Sequence, residues 1–228
     1  MNKTLYVSDL DGTLLGPDSR ISQRSREILN DVIARGASFT VATARTPATV
    51  SVLLQGLEMR NPAIVMTGAA LWDSATGRYS HVSYMNPGIP QRLLEIYRRH
   101  DVGTFVYTLD SDVIKIYHQG CLNEEERSFI MERLSTPYKR IEVDLDGNSE
   151  VPDIFDKVVL FYTIQPNAPA LSVYSETSRM EDVNALCYHD IYGQDLSMLE
   201  VFAGESTKAK AIRYLAGLIG ADRIVAFG

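Results

Sequence analysis

The sequence predicts an α/β protein, in which a Rossmann-like domain with a parallel sheet is interrupted by an α+β domain. Three units of strand and helix follow one another over residues 4–68, hairpins mixed with helices occupy the middle of the chain, and a helix and a strand return after residue 206. Parallel neighbours in a sheet need crossover connections, which helices usually provide. We therefore expect residues 1–80 and 190–228 to form one discontinuous domain and residues 81–189 to form the inserted one.

Each element of the first domain has its own signal. Residues 4–7 form a β-rich run, and residues 21–35 carry apolar side chains at helical spacing before Gly36. Residues 38–42 and 63–66 predict two further strands, with an amphipathic helix at 49–56 between them. Ligands in such sheets bind at the carboxyl ends of the strands. Asp9 and Thr43 follow two of these ends, so we expect the functional site there.

The inserted domain has a different pattern. A turn within residues 71–82 predicts a hairpin, which is antiparallel. Helices are predicted at 89–99, 123–134 and 168–180, and strands at 104–107, 113–117, 158–164 and 185–189. A helix at 206–219 and a strand at 223–227 then complete the first domain. We expect Asp190, Tyr192, Gln194 and Asp195, where the chain returns, to serve mainly as a linker.

Composition excludes several functions. The 228 residues carry a formal net charge of −7 without a dense cluster of Lys and Arg, which argues against nucleic acid as a partner. Cys121 and Cys187 lie far apart, so neither a disulfide framework nor a zinc site is expected. The sequence contains neither a signal peptide nor a stretch long enough to span a membrane. We expect a cytoplasmic protein without membrane partners; the sequence leaves its oligomeric state open.

Two carboxylates after the first strand point to phosphoryl transfer. Asp9 could attack phosphorus and form an aspartyl phosphate, while Asp11 could act as general acid and base. Gly12 permits a turn that directs amides at phosphate oxygens. Mg²⁺, which prefers oxygen ligands, would offset the repulsion between nucleophile and substrate. The alternative is half of a calcium loop, but residues 14–17 (Leu-Leu-Gly-Pro) do not supply the expected glutamate.

The segment Asp-Leu-Asp-Gly-Thr at residues 9–13 resembles the first motif of the haloacid dehalogenase superfamily. The resemblance implies that Asp9 and Asp11 bind Mg²⁺, and that Thr43 and Lys208 hold the transferring phosphoryl group with them in the catalytic site. Two alternatives stay open. Thr43 could be a helix N-cap. Lys208 could be an exposed lysine in a first helical turn, although a cation is unfavourable there without a nearby anion.

In having an acid at position 11, the sequence resembles the phosphatases and phosphomutases of the superfamily. The inserted domain resembles the large α/β cap of the Cof-type sugar phosphatases. Residues 67–70 (Thr-Gly-Ala-Ala) resemble their Asn-Gly-Ala segment, with Thr in place of Asn. Arg45 either contacts substrate or bridges core and cap. The expected substrate-binding residues are Leu10, Gly12, Ala44 and Arg45.

The fourth motif of the superfamily, whose acids complete the Mg²⁺ site, should follow the strand at 223–227. Gly228 matches its first residue and is the last residue of the sequence. We therefore expect this chain to bind Mg²⁺ weakly and to turn over slowly. The expected function is a Mg²⁺-dependent phosphatase of small phosphomonoesters, with sugar phosphates as the leading class. The alternatives are a phosphomutase resembling phosphomannomutases and a catalytically impaired phosphate-binding protein.

Overall fold

The computed structural model describes residues 3–143, 151–189 and 195–228. It divides the chain into two compact units, the first comprising Met1–Val82 and Ser206–Gly228 and the second comprising Ser83–Glu205. Three residues of the expected linker, Asp190, Tyr192 and Gln194, lie outside the described residues.

The described residues form strands and helices in the following order along the chain. The elements up to the middle are β1 (Thr4–Ser8), α1 (Gln23–Ala34), β2 (Ser38–Val41), α2 (Pro47–Leu53), β3 (Ala63–Val65), β4 (Ala70–Asp73), β5 (Arg78–Val82), α3 (Ile89–Arg99), β6 (Thr104–Asp110) and β7 (Val113–Gln119). The remaining elements are α4 (Glu124–Met131), β8 (Lys139–Ile141), β9 (Val158–Pro166), α5 (Asn167–Thr177), β10 (Val183–His189), β11 (Leu196–Ala203), α6 (Lys208–Ile219) and β12 (Arg223–Phe227).

The first unit is built on a parallel sheet, as predicted. β1 lies between β12 and β2 and is parallel to both. An isolated parallel bridge between Ala42 and Ile64 connects the end of β2 to β3. β3 pairs with β4, and β4 pairs with β5, both antiparallel. Leu5 and Val7 point from β1 into a core that also contains Leu215 of α6. With this α/β architecture the predicted fold class is confirmed.

The second unit contains a six-stranded sheet in the order β10-β11-β9-β6-β7-β8. Its neighbours are antiparallel except for β7 and β8, which are parallel. Apolar side chains of α3 and α5, including Leu93, Tyr97 and Val173, pack with Phe161 and Leu199 of the sheet in one buried cluster. Asn123 begins α4 with a capping box, in which Glu126 returns the hydrogen bond.

Two strands of this sheet are absent from the sequence-based prediction. β11 pairs with both β10 and β9, so residues 196–203 belong to the sheet of the second unit. The expected domain boundary at residue 190 is therefore corrected to residue 206, and the first boundary shifts from 80 to 82. β8 is a short edge strand beside β7. Within the described ranges, no helix combines the length and apolar character needed to cross a membrane.

Candidate active site

The carboxyl ends of three parallel strands bring the predicted residues to one edge of the first unit. Ser8 of β1 is in register with Val41 of β2, and the amide of Ala42 donates to the carbonyl of Ser8 at 2.9 Å. Asp9, directly after β1, donates its own amide to the carbonyl of Phe227 in β12 at 2.9 Å. The neighbouring strands thus fix the main chain at Ser8 on one side and at Asp9 on the other.

Both carboxylate oxygens of Asp9 are engaged. Oδ1 accepts a hydrogen bond from the amide of Leu10 at 2.7 Å, and Oδ2 accepts one from Nζ of Lys208 at 2.6 Å. Lys208 is the first residue of α6, after the N-cap Thr207. Asp9 supplies the anion that a lysine in this position requires. The alternative of an exposed lysine in a first helical turn is wrong, because Lys208 is half-buried and its amine forms an ion pair with Asp9.

The chain turns sharply after Asp9. Gly12 adopts a φ of +71°, and the amide of Leu15 donates to the carbonyl of Leu10 at 2.9 Å, which closes the turn. The side chain of Leu10 is buried in the protein, whereas Gly12 is exposed. Of these two expected substrate-binding residues, Leu10 can therefore offer only its main chain.

Asp11 forms a bidentate ion pair with Arg45. Nη2 and Nε of Arg45 donate to the two carboxylate oxygens of Asp11 at 2.6 and 2.9 Å. The pKa of the Asp11 carboxyl is lowered below its ordinary value, mainly by these hydrogen bonds. The same hydrogen bonds raise the pKa of Arg45. Asp11 is thus held in its ionised form. This pairing, which engages Arg45 within the first unit, is not predicted from the sequence.

Thr43 is completely buried at the same edge. Its amide donates to the carbonyl of Ile64 at 2.9 Å, and its Oγ1 accepts from the amide of Arg45 at 3.2 Å. The alternative of a helix N-cap is wrong for Thr43, because α2 begins at Pro47 and Thr46 occupies the cap position. Ala44, the next expected substrate-binding residue, is exposed.

A turn between β3 and β4 lies against this site. Met66, Thr67 and Gly68 have φ values of +50°, +55° and +94°, a conformation that is rare outside glycine. A Cβ atom placed on Gly68 would lie 2.3 Å from the carbonyl oxygen of Thr207. The similarity of this segment to a family motif does not predict the contact; a glycine next to a strand end is the signal available for it.

Space for a ligand exists beside the carboxylate. A cavity of about 360 Å³ adjoins Asp9 and Lys208 in the first unit. Its lining is otherwise mostly apolar and consists of Val7, Ala42, Ile212, Ala226, Phe227 and Gly228. Among the residues described, no three His, Cys, Asp or Glu side chains are grouped so that they could hold a metal ion.

Comparison with known proteins agrees with this fold. Residues 6–228 match the model of a family described as haloacid dehalogenase-like hydrolase. The 5-amino-6-(5-phospho-D-ribitylamino)uracil phosphatase YitU of Bacillus subtilis is 24% identical over 98% of this chain and 79% of its own length. The chain spans about half (52%) of another curated relative, from Mycoplasma genitalium.

Solved structures show the same fold. A haloacid dehalogenase-like hydrolase from Bacteroides thetaiotaomicron superposes with a TM-score of 0.70 at 20% identity, covering 99% of this chain and 81% of its own. A sugar phosphatase of subclass IIB superposes with a TM-score of 0.68 at 18% identity, covering 99% and 80%. The chain belongs to the haloacid dehalogenase-like hydrolase family. The family and the relatives named as phosphatases support the prediction that this protein is an enzyme of the phosphatase class.

Proposed function

We propose that the protein is a Mg²⁺-dependent phosphatase of small phosphomonoesters, with phosphates of sugars and sugar alcohols as the substrate class. The observation that carries the proposal is the carboxylate of Asp9 at a strand end, fixed by Lys208 beside a cavity. The names of two similar proteins, a phosphoribitylamino-uracil phosphatase and a sugar phosphatase, support the substrate class.

The nucleophile in this proposal is Asp9. One carboxylate oxygen attacks phosphorus, the ester bond to the leaving oxygen breaks, and an aspartyl phosphate forms, which water then hydrolyses. The hydrogen bonds from Leu10 and Lys208 fix the orientation of the carboxylate before substrate arrives. The charge of Lys208 also reduces the repulsion between the carboxylate and an anionic ester. Thr43, at the neighbouring strand end, is completely buried, and in this proposal its hydroxyl becomes accessible to hold a phosphoryl oxygen.

Asp11 would protonate the leaving oxygen and later take a proton from the attacking water. Its ion pair with Arg45 suits the second role, because it keeps the carboxylate ionised. The first role requires this pair to open. An anionic phosphate competes with Asp11 for the guanidinium, since Arg binds carboxylates and phosphates with the same bidentate geometry. We therefore keep Arg45 as a substrate-binding residue in the proposal.

The donor atoms of the site fit Mg²⁺. The carboxylate of Asp9 and the main-chain carbonyl of Asp11 are oxygen donors, and Mg²⁺ in proteins commonly uses one or two carboxylates together with water and substrate phosphate. Each Asp9 oxygen accepts one hydrogen bond from this chain, which leaves a second lone pair for a cation. When bound, the ion would withdraw charge from the phosphoryl oxygens.

Replacement of Asp9 by Asn tests the proposal. The Asp9→Asn variant should release no phosphate from ribitol 5-phosphate or glucose 6-phosphate in the presence of Mg²⁺, because an amide is a poor nucleophile. Asp18→Asn is the matched control, since Asp18 lies in the following loop of the same unit and is exposed. Hydrolysis by Asp9→Asn at the wild-type rate would refute the mechanism.

The products distinguish the alternatives. Free phosphate supports the phosphatase, whereas an isomerised sugar phosphate supports a phosphomutase. Phosphate binding by calorimetry without any turnover at high Mg²⁺ supports a phosphate-binding protein.

A further inference from the structure

The turn formed by Met66, Thr67 and Gly68 is held in a strained conformation. All three residues have positive φ, and two of them carry side chains that disfavour it. Oγ1 of Thr67 is buried and forms no hydrogen bond within the described part of the chain. Such strain persists only where the surrounding structure enforces it, and it concentrates at functional sites.

One side of the turn is fixed to the segment that follows β2. The amide of Met66 donates to the carbonyl of Arg45 at 3.0 Å, and the amide of Thr67 donates to the carbonyl of Thr43 at 3.0 Å. These main-chain bonds connect the turn to two of the three predicted site residues of that segment, Thr43 and Arg45. A displacement of the turn would therefore displace Thr43 and Arg45.

The other side of the turn lies against the start of α6. A Cβ atom on Gly68 would lie 2.3 Å from the carbonyl oxygen of Thr207 and 2.8 Å from the amide nitrogen of Lys208. Real Cβ contacts essentially never fall below 3.0 Å, so the turn and the helix start would have to separate by about 0.7 Å. The opposing atoms belong to the backbone, which means that no rotamer change can relieve the clash.

We propose that Gly68 is a positioning residue for Lys208. The close approach that glycine permits sets the distance between the start of α6 and the Thr43 segment, and it thereby places the Lys208 amine against Asp9. The inference rests on the proposed function, because it assigns Gly68 to the site that carries the proposed chemistry.

Gly68→Ala tests this proposal against Gly36→Ala. Gly36 has a φ of +98°, close to the +94° of Gly68, and a Cβ atom there would meet nothing described within 4 Å. Both variants place a side chain at nearly the same positive φ, but only Gly68→Ala adds a clash with the backbone at the start of α6. We expect kcat/KM for ribitol 5-phosphate to fall about tenfold or more in Gly68→Ala and by less than about twofold in Gly36→Ala. Equal losses in the two variants would overturn the proposal.

A double-mutant cycle separates positioning from general damage. If Gly68 acts through Lys208, the Gly68→Ala change should cost less than about twofold in a Lys208→Ala background. The same tenfold loss in both backgrounds would show that Gly68 affects the enzyme by another route.

Thr67→Gly provides a second variant, which adds no atom, in case the Gly68→Ala protein does not fold. It loosens the turn, and it should lower kcat/KM by about threefold without lowering the melting temperature. Unchanged kinetics in Thr67→Gly would contradict the proposal.

Failure of the proposed phosphatase function can be distinguished from failure of the proposal for Gly68. A wild-type protein that hydrolyses no phosphomonoester would refute the phosphatase, and binding of inorganic phosphate by calorimetry would then decide the role of Gly68. Gly68→Ala should weaken that binding about tenfold relative to Gly36→Ala. Equal affinities, or no binding by the wild type, would overturn the inference.

Discussion

The ion pair between Asp11 and Arg45 should contribute modestly to the stability of the first unit, and Arg45→Met should measure it. The side chains are 54% and 30% exposed, respectively. Two unit charges 4 Å apart attract by about 1 kcal/mol in water and about 4 kcal/mol near a protein surface. Screening and lost side-chain entropy reduce exposed pairs to about 0.2–1 kcal/mol. The bidentate geometry favours the upper end, so Arg45→Met should cost about 1 kcal/mol near pH 7.

The cost should depend on pH in a defined direction. The hydrogen bond from Arg45 lowers the pKa of Asp11 in the folded protein. A carboxyl with a lowered folded pKa stabilises the protein fully above its unfolded pKa, which is about 3.9 for Asp. That contribution is lost as the pH falls through the folded pKa. The difference between wild type and Arg45→Met should thus be complete near neutral pH and shrink below about pH 4.

Urea unfolding followed by Trp72 fluorescence measures this difference. Trp72 is the only tryptophan in the sequence, and it is fully buried in β4, so it reports on the first unit. Arg35→Met is the matched control, because Arg35 pairs with Asp31 one helical turn away and both side chains are mostly exposed. Its cost should stay below about 0.5 kcal/mol. A cost for Arg45→Met that equals the control, or that is unchanged at acid pH, would refute the reasoning.

Two further predictions concern the second unit. Glu126 is fully buried, accepts hydrogen bonds from the Asn123 amide and from Gln165, and lies 3.4 Å from His118. Glu126→Ala should lower the free energy of unfolding by about 3–5 kcal/mol in urea unfolding followed by circular dichroism, because it leaves the Asn123 amide and Gln165 without their acceptor. Glu126→Gln should cost less, because its amide oxygen can still accept a hydrogen bond; equal costs would contradict this reasoning. Burial lowers the pKa of Lys139 to about 8, so acetylation of Lys139, followed by mass spectrometry, should have its pH midpoint near that value. A midpoint near 10, typical of an exposed lysine, would contradict it.

The sequence predicted best those elements whose pattern is strongly periodic. α3 occupies the predicted residues 89–99, because Leu93, Ile96 and Tyr97 recur at helical spacing and form its buried face. β12 likewise coincides with the predicted residues 223–227. β11 escaped prediction because it is a central strand, buried on both faces, with Ser197 and Glu200 inside. A strand of this kind shows neither alternation nor a continuous apolar run.

The positions of the site residues were easier to predict than their partners. Strand ends can be recognised locally, which is why the pattern predicts Asp9 and Thr43 at one edge of the sheet, whereas only the resemblance to the superfamily adds Lys208. The hydrogen bond between Asp9 and Lys208 joins residues 199 positions apart, and no local pattern encodes such a pairing. The contact of Gly68 with the start of α6 depends in the same way on how distant segments pack.

The pairing of charges in the site links the two proposed roles of Asp11. Asp9 is neutralised by Lys208 and Asp11 by Arg45, so the side chains hold no excess positive charge for an anionic ester. In the proposed function, an arriving phosphate would draw Arg45 away from Asp11. The Asp11 carboxyl would then lose the hydrogen bonds that lower its pKa, and the nearby anionic phosphate would raise that pKa further. Substrate binding would thereby favour protonation of Asp11, which is the form that a general acid requires.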